Sequence, residues 1–552
     1  MSLRPFAWEK QYPSNVSWDL DIPRETLPEF LERCVTDFAD RTLFEFRGRK
    51  ISYAEFGEMV DAAAACLQQL GVGHGVSVAL YLPNTPWHPI SFFGVLKAGG
   101  RVVHLSPLDP PRVLAKKMAD GDARILIATN LPPLFASAMT LLSEGAAERL
   151  VVGDDDVWGP SGVAQHVPDD PRITHCTNAR REAAGPFPSL TPDDVALLQY
   201  TGGTTGFPKA AMLTHGNLLA AVRIYESWDT PSFEPLNKDD RVIGVLPFFH
   251  IYALTVVLLR TMSAGATILL QPRFDVEATL RDIEVGKATC FPGVPTMWIA
   301  LVNLPGIEKR DLSSLRFAGS GGAPLPSEVR QKFNQLTGLR LGGGWGMTET
   351  APAGTLMDAE REYAHGAIGI PLPRIEMDIV ALDDPRNVLP PGEVGEIRVK
   401  GPNVFVGYWK RAEETERAYV DGFFLTGDMG YMDADGDFYI VDRKKDMIIS
   451  GGFNVYPSVI EEAVYEHPDV AEAIVIGVPD QYRGQAAKVF VALKPGAAEM
   501  DIDTLRNFLG DKLGKHEMPV AIETREALPR TPVGKLSRKE LVDEELAKAT
   551  SA

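Results

Sequence analysis

The run Val195-Ala196-Leu197-Leu198-Gln199 reads as a buried strand. It opens directly into Tyr200-Thr201-Gly202-Gly203-Thr204-Thr205-Gly206-Phe207-Pro208-Lys209, which runs on to Thr214-His215. Three glycines, three threonines and a lysine behind a strand describe a loop whose backbone must approach something closely. Glycines permit conformations closed to other residues and carry no Cβ to hold a ligand away. Successive N–H groups can then converge on an anion, while the hydroxyls and the lysine add donors and charge. The phosphates of a nucleotide are the natural candidate. The spacing Gly-x-x-x-x-Gly-Lys-Ser/Thr is absent, so this is not a Walker A loop; a plain glycine-rich turn is the bland alternative.

Around this stretch the chain alternates between helical and strand-like periodicity. Residues 27–39, 53–70 and 87–98 have helical apolar spacing, 76–82 and 102–105 read as buried strands, and 43–46 with 50–53 as a hairpin. Such alternation means βα units on a largely parallel sheet. The segment 154–192, rich in Pro, Asp and Gly, reads as a surface loop. A second αβ alternation runs from 193 to about 356. From 366 to 442 short strands separated by turns suggest a small β-barrel or distorted antiparallel sheet. Beyond 442 a compact α+β segment carries helices at 457–467 and 502–513 and strands at 470–477 and 488–493.

With 552 residues the chain exceeds what one core can hold. The expected fold is α/β. Residues 1–442 form a large N-terminal domain of two αβ-sheet subdomains plus the small β-barrel (about 366–442). A hinge at 443–446 leads to an α+β C-terminal domain, 447–552. A net charge of −19 argues against sequence-independent nucleic-acid binding. Four cysteines without CxxC spacing indicate neither a zinc site nor a disulfide framework and suit a reducing cytoplasm. No apolar signal region is read at 1–12. The apolar run 242–259 is broken by Pro247, His250 and Tyr252, so a strand followed by a buried helix is expected there rather than a membrane span.

Five further stretches carry chemistry. In Val245-Leu246-Pro247-Phe248-Phe249-His250-Ile251-Tyr252, His250 is either a satisfied core residue or part of the wall of an apolar pocket. Ala318-Gly319-Ser320-Gly321-Gly322-Ala323-Pro324 matches neither a hydrolase elbow nor a dinucleotide fingerprint; a flat ligand against bare backbone explains it better. In Gly342-Gly343-Gly344-Trp345-Gly346-Met347-Thr348-Glu349-Thr350, the aromatic ring can stack on a base. The hydroxyl and carboxylate that follow can reach a phosphate and a hard cation such as Mg²⁺. Both glycine-rich stretches could also be structural turns. Asp428 at the end of Asp421-Gly422-Phe423-Phe424-Leu425-Thr426-Gly427-Asp428, and Arg443 beyond it, suit ribose and phosphate. Lys535 in Pro529-Arg530-Thr531-Pro532-Val533-Gly534-Lys535-Leu536 would, in isolation, be an idle solvated lysine.

Together these six stretches, in order and spacing, resemble the adenylate-forming superfamily of acyl-CoA synthetases, firefly luciferases and nonribosomal-peptide adenylation domains. The likeness covers about 27–541. It implies activation of a carboxylic acid by ATP and Mg²⁺ to an acyl-adenylate plus pyrophosphate, then transfer of the acyl group to a thiol such as coenzyme A. It implies that Thr201, Gly202, Gly203, Thr204, Thr205, Gly206 and Lys209 hold the phosphates. Gly321, Gly322, Ala323 and Pro324 would hold the adenine with Trp345, Gly346 and Met347, Trp345 standing where the family more often has Tyr. Thr348 would touch the α-phosphate, Glu349 hold Mg²⁺, and Asp428 and Arg443 bind ribose. Lys535 would bridge the acid and ATP, with His250 a further catalytic candidate. The resemblance also implies a mobile C-terminal domain turning about Lys445, which brings Gly451 and Gly452 to the path of the pantetheine arm. Gln485 stands where the family often has Glu, and Gly343 where it often has Gln.

Phe249, His250, Tyr252, Val256, Gly319, Gly343, Gly344 and Met347 are then the expected acyl-pocket wall. Three glycines among mostly apolar neighbours favour a medium- or long-chain fatty acid. A dicarboxylic acid such as pimelate is a variant, given the donors on His250 and Tyr252, and an aryl acid is third. Delivery to a carrier protein and a non-catalytic acyl-nucleotide binder are the readings from other classes. The further expectations are a monomer or homodimer and a lysine acetyltransferase acting on Lys535.

Overall fold

The computed structural model describes residues 4–176, 183–201, 208–230, 233–323, 325–358, 361, 363–364, 366–450, 453–480, 483–510, 512–530 and 536–551. The expectations placed on Gly202, Gly203, Thr204, Thr205, Gly206, Pro324, Gly451, Gly452 and Lys535 lie outside the described residues. Ser77–Leu80 and Thr267–Leu270 are buried at every position, the mark of strands covered on both faces. Each belongs to its own seven-stranded sheet. The first runs Ile173–Cys176, Arg149–Gly153, Ala123–Thr129, Ser77–Leu80, Arg101–His104, Val195–Tyr200, Ala210–Thr214. Its neighbours are parallel except the last pair, which turns back antiparallel. That reversal sets 201–209 at the carboxyl end of a parallel strand, where α/β sheets place their ligands.

The second sheet runs Gly342–Gly343, Phe317–Ser320, Cys290–Gly293, Arg241–Gly244, Thr267–Leu270, Thr42–Phe46, Arg49–Ser52. It is parallel apart from the terminal hairpin. The hairpin therefore borders the second sheet, with Phe44 opposite Ile268, a long-range pairing that local periodicity does not encode. The expected loop 154–192 contains a strand, Ile173–Cys176, laid parallel to Arg149–Gly153. At four residues it is too short to show a period. The apolar run 242–259 is, as expected, a strand and then a buried helix. Seven residues of that helix, Ala253–Leu259, take the wide π form. No helix among the described residues is long and apolar enough to cross a membrane.

Two compact units divide the chain: 1–363 with 368–376 and 400–418, and 364–367 with 377–399 and 419–552. The strands expected to complete the N-terminal domain thus group with the C-terminal segment, and 443–446 falls inside the second unit. Asp442 explains part of this grouping. Its carboxylate accepts from the Ser458 N–H at 2.8 Å and lies 3.7 Å from Arg538, which also meets Asp446 and Glu461. In this unit Met377–Val399 and the strands Phe423–Met432 and Phe438–Arg443 build an antiparallel sheet whose register shifts at Glu396/Arg398 and Met429/Gly430 bend it. Its hydrogen-bonded path has two free ends among the described residues, the distorted-sheet form rather than a closed barrel. The α+β segment stacks Pro457–Tyr465 and Ile502–Leu509 on Val470–Asp480 and Gly484–Leu493 around Ile460, Val475, Val489 and Leu505.

One core feature has a pH signature. His88 and His104 are buried with ring centroids 5.1 Å apart, and His104 Nδ1 faces Gln199 Oε1 at 2.9 Å. Both nitrogens of His88 and Nε2 of His104 meet no hydrogen-bond partner among the described residues. Burial pushes the His104 imidazole down to about 4 and that of His88 well below its usual range. Both are neutral in the fold and charge on unfolding, so their stabilisation is complete above about pH 6.5 and is lost as pH falls towards 4. For His104 alone the loss is about 3 kcal/mol over that window. Denaturant unfolding between pH 7.5 and 5 should show this slope, and His88→Phe, which keeps a ring beside Phe248, should flatten it. An equal slope in the variant would show that the acid sensitivity resides elsewhere.

Candidate active site

The loop that follows Val195–Tyr200 is closed at its base by the Thr201 N–H donating to the Lys209 carbonyl at 2.9 Å. Tyr200 anchors the strand end by donating to the Lys117 carbonyl at 2.8 Å. Alongside Ala210–Thr214 lies a segment that sequence reasoning did not single out. Val406 donates to the Met212 carbonyl, Met212 to that of Gly407, and Trp409 to that of Ala210, at 2.9–3.1 Å. This sets Tyr408 opposite Ala211 and close to Lys209. Lys209 Nζ lies 5.1 Å from the centre of the Tyr408 ring and is ion-paired with Glu414. The Tyr408 hydroxyl donates to Glu349 Oε1 at 2.9 Å. Lys209 and Glu349, 140 positions apart in the sequence, are thus joined through one tyrosine.

Glu349 is only 5 % exposed, in the short turn Thr348–Thr350. The Phe405 N–H donates to its carbonyl at 2.8 Å. The carbonyls around it are each held: Thr350 and Ala353 by the Asn403 amide at 2.6 and 2.8 Å, Ala351 by the Thr255 hydroxyl at 2.9 Å, and Pro352 by the Tyr225 hydroxyl at 3.4 Å. Thr255 comes from the π-helical stretch. Trp345, expected to stack on a base, is buried with its ring against Gly354. A Cβ built on Gly346 would fall 1.4 Å from the Pro352 carbonyl oxygen, and one on Gly344 2.2 Å from that of Thr355. Those two glycines are demanded by backbone rather than by ligand space. Gly343 differs: its Cβ position meets Met357 and Ser320 only at 3.6 Å.

Gly321 N–H donates to the Gly293 carbonyl at 3.1 Å, and the Tyr252 ring lies directly against Gly321. The expected adenine and acyl-pocket stretches therefore meet. His250 Nδ1 accepts from the Tyr252 N–H at 3.2 Å, which puts the proton of the neutral ring on Nε2. Phe249 is fixed through its carbonyl by Gln199 at 3.0 Å, and Val256 is buried in the π stretch. Gly319 pairs with Gly342 across adjacent parallel strands. Gly322 has φ +81 and is exposed with Ala323.

In the second unit Asp428 and Arg443 are direct cross-strand neighbours, and the Arg443 Nε lies 2.7 Å from the Asp428 carboxylate. Asp428 is 1 % exposed. Thr426 orients it by accepting from its N–H at 3.1 Å while donating to the Ile397 carbonyl. Lys445 sits in an exposed turn closed by the Asp446 N–H on the Arg443 carbonyl. On either side of 531–535, the Ser537 N–H donates to the Pro529 carbonyl at 2.8 Å.

Residues 31–409 match the family model of AMP-binding enzymes, and 459–535 that of the AMP-binding enzyme C-terminal domain. The chain belongs to the AMP-binding enzyme family. It is 38 % identical over 554 residues to a long-chain-fatty-acid–CoA ligase of Bacillus subtilis, covering 98 % of both chains. Feruloyl-CoA synthase of Amycolatopsis sp is 37 % identical over 90 % of this chain and 94 % of its own. Among solved structures, ATP-bound MatB from Rhodopseudomonas palustris superposes with a TM-score of 0.81 at 29 % identity, covering 94 % of this chain and 98 % of that one.

In this AMP-binding enzyme no group of three or more His, Cys, Asp or Glu is placed to hold a metal ion among the described residues. Enzymes of the family use Mg²⁺ with ATP and CoA, and the buried carboxylate of Glu349 fits an ion of which most other ligands are phosphate and water oxygens. The residues that sequence reasoning missed, Tyr408, Asn403, Thr255 and Glu414, lack glycine punctuation; the pairing of 405–409 with 210–214 reveals Tyr408, its lysine partner reveals Glu414, and hydrogen bonds to the 350–353 carbonyls reveal Asn403 and Thr255. Because the Gly346 contact is backbone to backbone, Gly346→Ala should disrupt the 345–355 turn. The expected outcome is loss of ATP binding and a stability drop of at least about 3 kcal/mol. Gly343→Ala should leave both unchanged in calorimetric ATP titration and thermal unfolding. Tolerance of Gly346→Ala would contradict the packing described.

Proposed function

We propose that the acid activated by this AMP-forming acyl-CoA synthetase is a long-chain fatty acid. The reading rests on the end-to-end likeness to long-chain-fatty-acid–CoA ligases, 38 % with Bacillus subtilis and 36 % with Escherichia coli O6:H1, each over 98 % of both chains. The mostly apolar side chains of Phe249, Tyr252 and Val256 support it, as does the lack of any tight contact at the Cβ position of Gly343. The feruloyl-CoA synthase relative favours a second reading, an aryl acid, at nearly the same identity.

In this reading the carboxylate oxygen of the acid attacks the α-phosphorus of ATP, the bond from that phosphorus to the bridging oxygen breaks, and pyrophosphate leaves. The sulfur of CoA then attacks the acyl carbon, AMP leaves, and the thiol proton passes to solvent. We assign Lys209 and the 201–206 backbone to the pyrophosphate side, Thr348 to the α-phosphate, Asp428 and Arg443 to the ribose, and Lys535 to the meeting of carboxylate and ATP. Glu349 would hold Mg²⁺, which when bound offsets charge on the phosphate oxygens. Two anions must meet, so fixed cations and dipoles carry most of the acceleration. His250, with its proton on Nε2, can donate to the acid's carboxylate.

We further assign 443–446, with Lys445, as the hinge between residues 1–442 and 447–552, so that the adenylation and thiol-transfer steps use different arrangements of the C-terminal domain. The reaction draws on ATP and CoA, which the cytoplasm supplies, and we place the enzyme there. Acetylation of Lys535 would remove its charge and is the modification we expect to control it.

Pyrophosphate release should be measured with ATP, Mg²⁺, CoA and short to long aliphatic monoacids, diacids and ferulate. A maximum among long aliphatic acids is expected. A maximum at ferulate would transfer the assignment to the aryl reading, and silence with ATP still bound would indicate carrier-dependent or non-catalytic behaviour. Lys535→Ala should lower acyl-adenylate formation by about 100-fold or more while leaving transfer from a supplied acyl-adenylate intact. Equal loss in both halves would remove Lys535 from its assigned role.

A further inference from the structure

Among the described residues the Lys209 ammonium meets the carboxylate of Glu414 and the ring of Tyr408. Both side chains of the ion pair are partly open to solvent, Lys209 at 42 % and Glu414 at 35 %. Glu414 has a second cation close by, the Arg411 Nε at 3.7 Å, and Arg411 is itself tied to Asp120 at 3.1 Å. Removing Lys209 from Glu414 therefore leaves no isolated carboxylate. Tyr408, which lies under Lys209, donates to the buried Glu349 carboxylate, and its own N–H donates to Thr415 Oγ1 at 2.9 Å.

We propose that Glu414 is an internal stand-in for nucleotide phosphate, holding Lys209 near its working position until ATP displaces it, and that Tyr408 is the positioning residue that keeps Glu349 oriented throughout the exchange. The proposal rests on the assignment of Lys209 and Glu349 to ATP and its metal ion. Because the carboxylate occupies the same cation, it competes with the ligand and lowers affinity. A solvent-exposed pair of this kind is weak, so displacing it costs little. The gain is that Lys209 is held in one place beside Tyr408 before ATP arrives. Tyr408 is fixed at both ends, by Thr415 at its backbone and by Glu349 at its hydroxyl, so Lys209 can leave its ring without releasing Glu349.

The test is equilibrium binding of ATP in EDTA to the full-length protein by calorimetry, with no acid or CoA present. Glu414→Gln should bind ATP about 2- to 5-fold more tightly than the wild type, the range an exposed ion pair allows. In a Lys209→Ala background the same substitution should have no effect, which separates competition for Lys209 from a general change in local charge. Unchanged or weaker binding in the single variant, or an equal gain in both backgrounds, would overturn the stand-in role. Tyr408→Phe keeps the ring and should bind ATP in EDTA normally. With Mg²⁺ added, its dependence on the ion, read both by MgATP titration and by pyrophosphate release, should shift about 10-fold to higher concentration. An unshifted Mg²⁺ dependence would remove Tyr408 from its positioning role. If the wild type binds no ATP at all, the functional reading falls with the proposal; if it binds and Glu414→Gln does not gain, only the proposal falls.

Discussion

The candidate site of the first unit depends on three backbone hydrogen bonds that lay 405–409 along Ala210–Thr214. An edge strand exposes unpaired N–H and C=O groups, and here the exposed edge recruits a segment nearly 200 residues downstream. Once Val406 and Trp409 are registered on Met212 and Ala210, the side chain of Tyr408 has to fall between Lys209 and the carboxylate of Glu349. A one-residue slip would turn Tyr408 to the opposite face, because side chains alternate along an extended segment. Gly407 secures the register: it has φ +135, and a Cβ there would lie 2.5 Å from the Thr415 methyl.

The same logic governs the 348–353 turn. A buried carboxylate on a short turn is costly unless the backbone beneath it is fully hydrogen-bonded. Asn403, Thr255 and Tyr225 supply those bonds from three different parts of the chain. Thr255 can reach because Ala253–Leu259 is wound as a π-helix, which offsets its side chains from the ordinary α positions. The backbone that carries Glu349 is thus held from three sides.

Much of this was legible in the sequence, and the division follows from range. The helices beginning at Leu27, Tyr53 and Trp87 and the buried strands between them were readable, because apolar spacing is a local signal. The glycine stretches located the turns, and the Asp428–Arg443 pair was readable as two charges of one purpose before the register joined them. The strand Ile173–Cys176, the transfer of the 42–52 hairpin to the second sheet and the grouping of 377–399 with the C-terminal segment were not legible, since each is decided by which distant edge is open. Within the candidate site, sequence reasoning reached mainly the stretches marked by glycines. It did not reach the chemistry carried by an ordinary tyrosine and asparagine. Gly344 and Gly346 show the converse, glycines that sequence alone assigned to ligands but that a neighbouring carbonyl already requires.

Both units meet one electrostatic difficulty in the same way. A chain of net charge −19 that takes up a polyanion must hold cations ready without the ligand to neutralise them. Lys209 is held by Glu414 and Arg443 by Asp428, so both of these cations rest on a carboxylate. The two pairs differ in burial, and the difference follows their assigned roles. Glu414 is partly exposed and has Arg411 in reserve, so its lysine can leave. Asp428 is almost wholly enclosed, with only its arginine near solvent. Losing that partner would leave a buried charge uncompensated, which is far costlier than breaking an exposed pair. Arg443 and Asp428 are therefore suited to take a sugar together as one unit, whereas Lys209 is suited to exchange one anion for another.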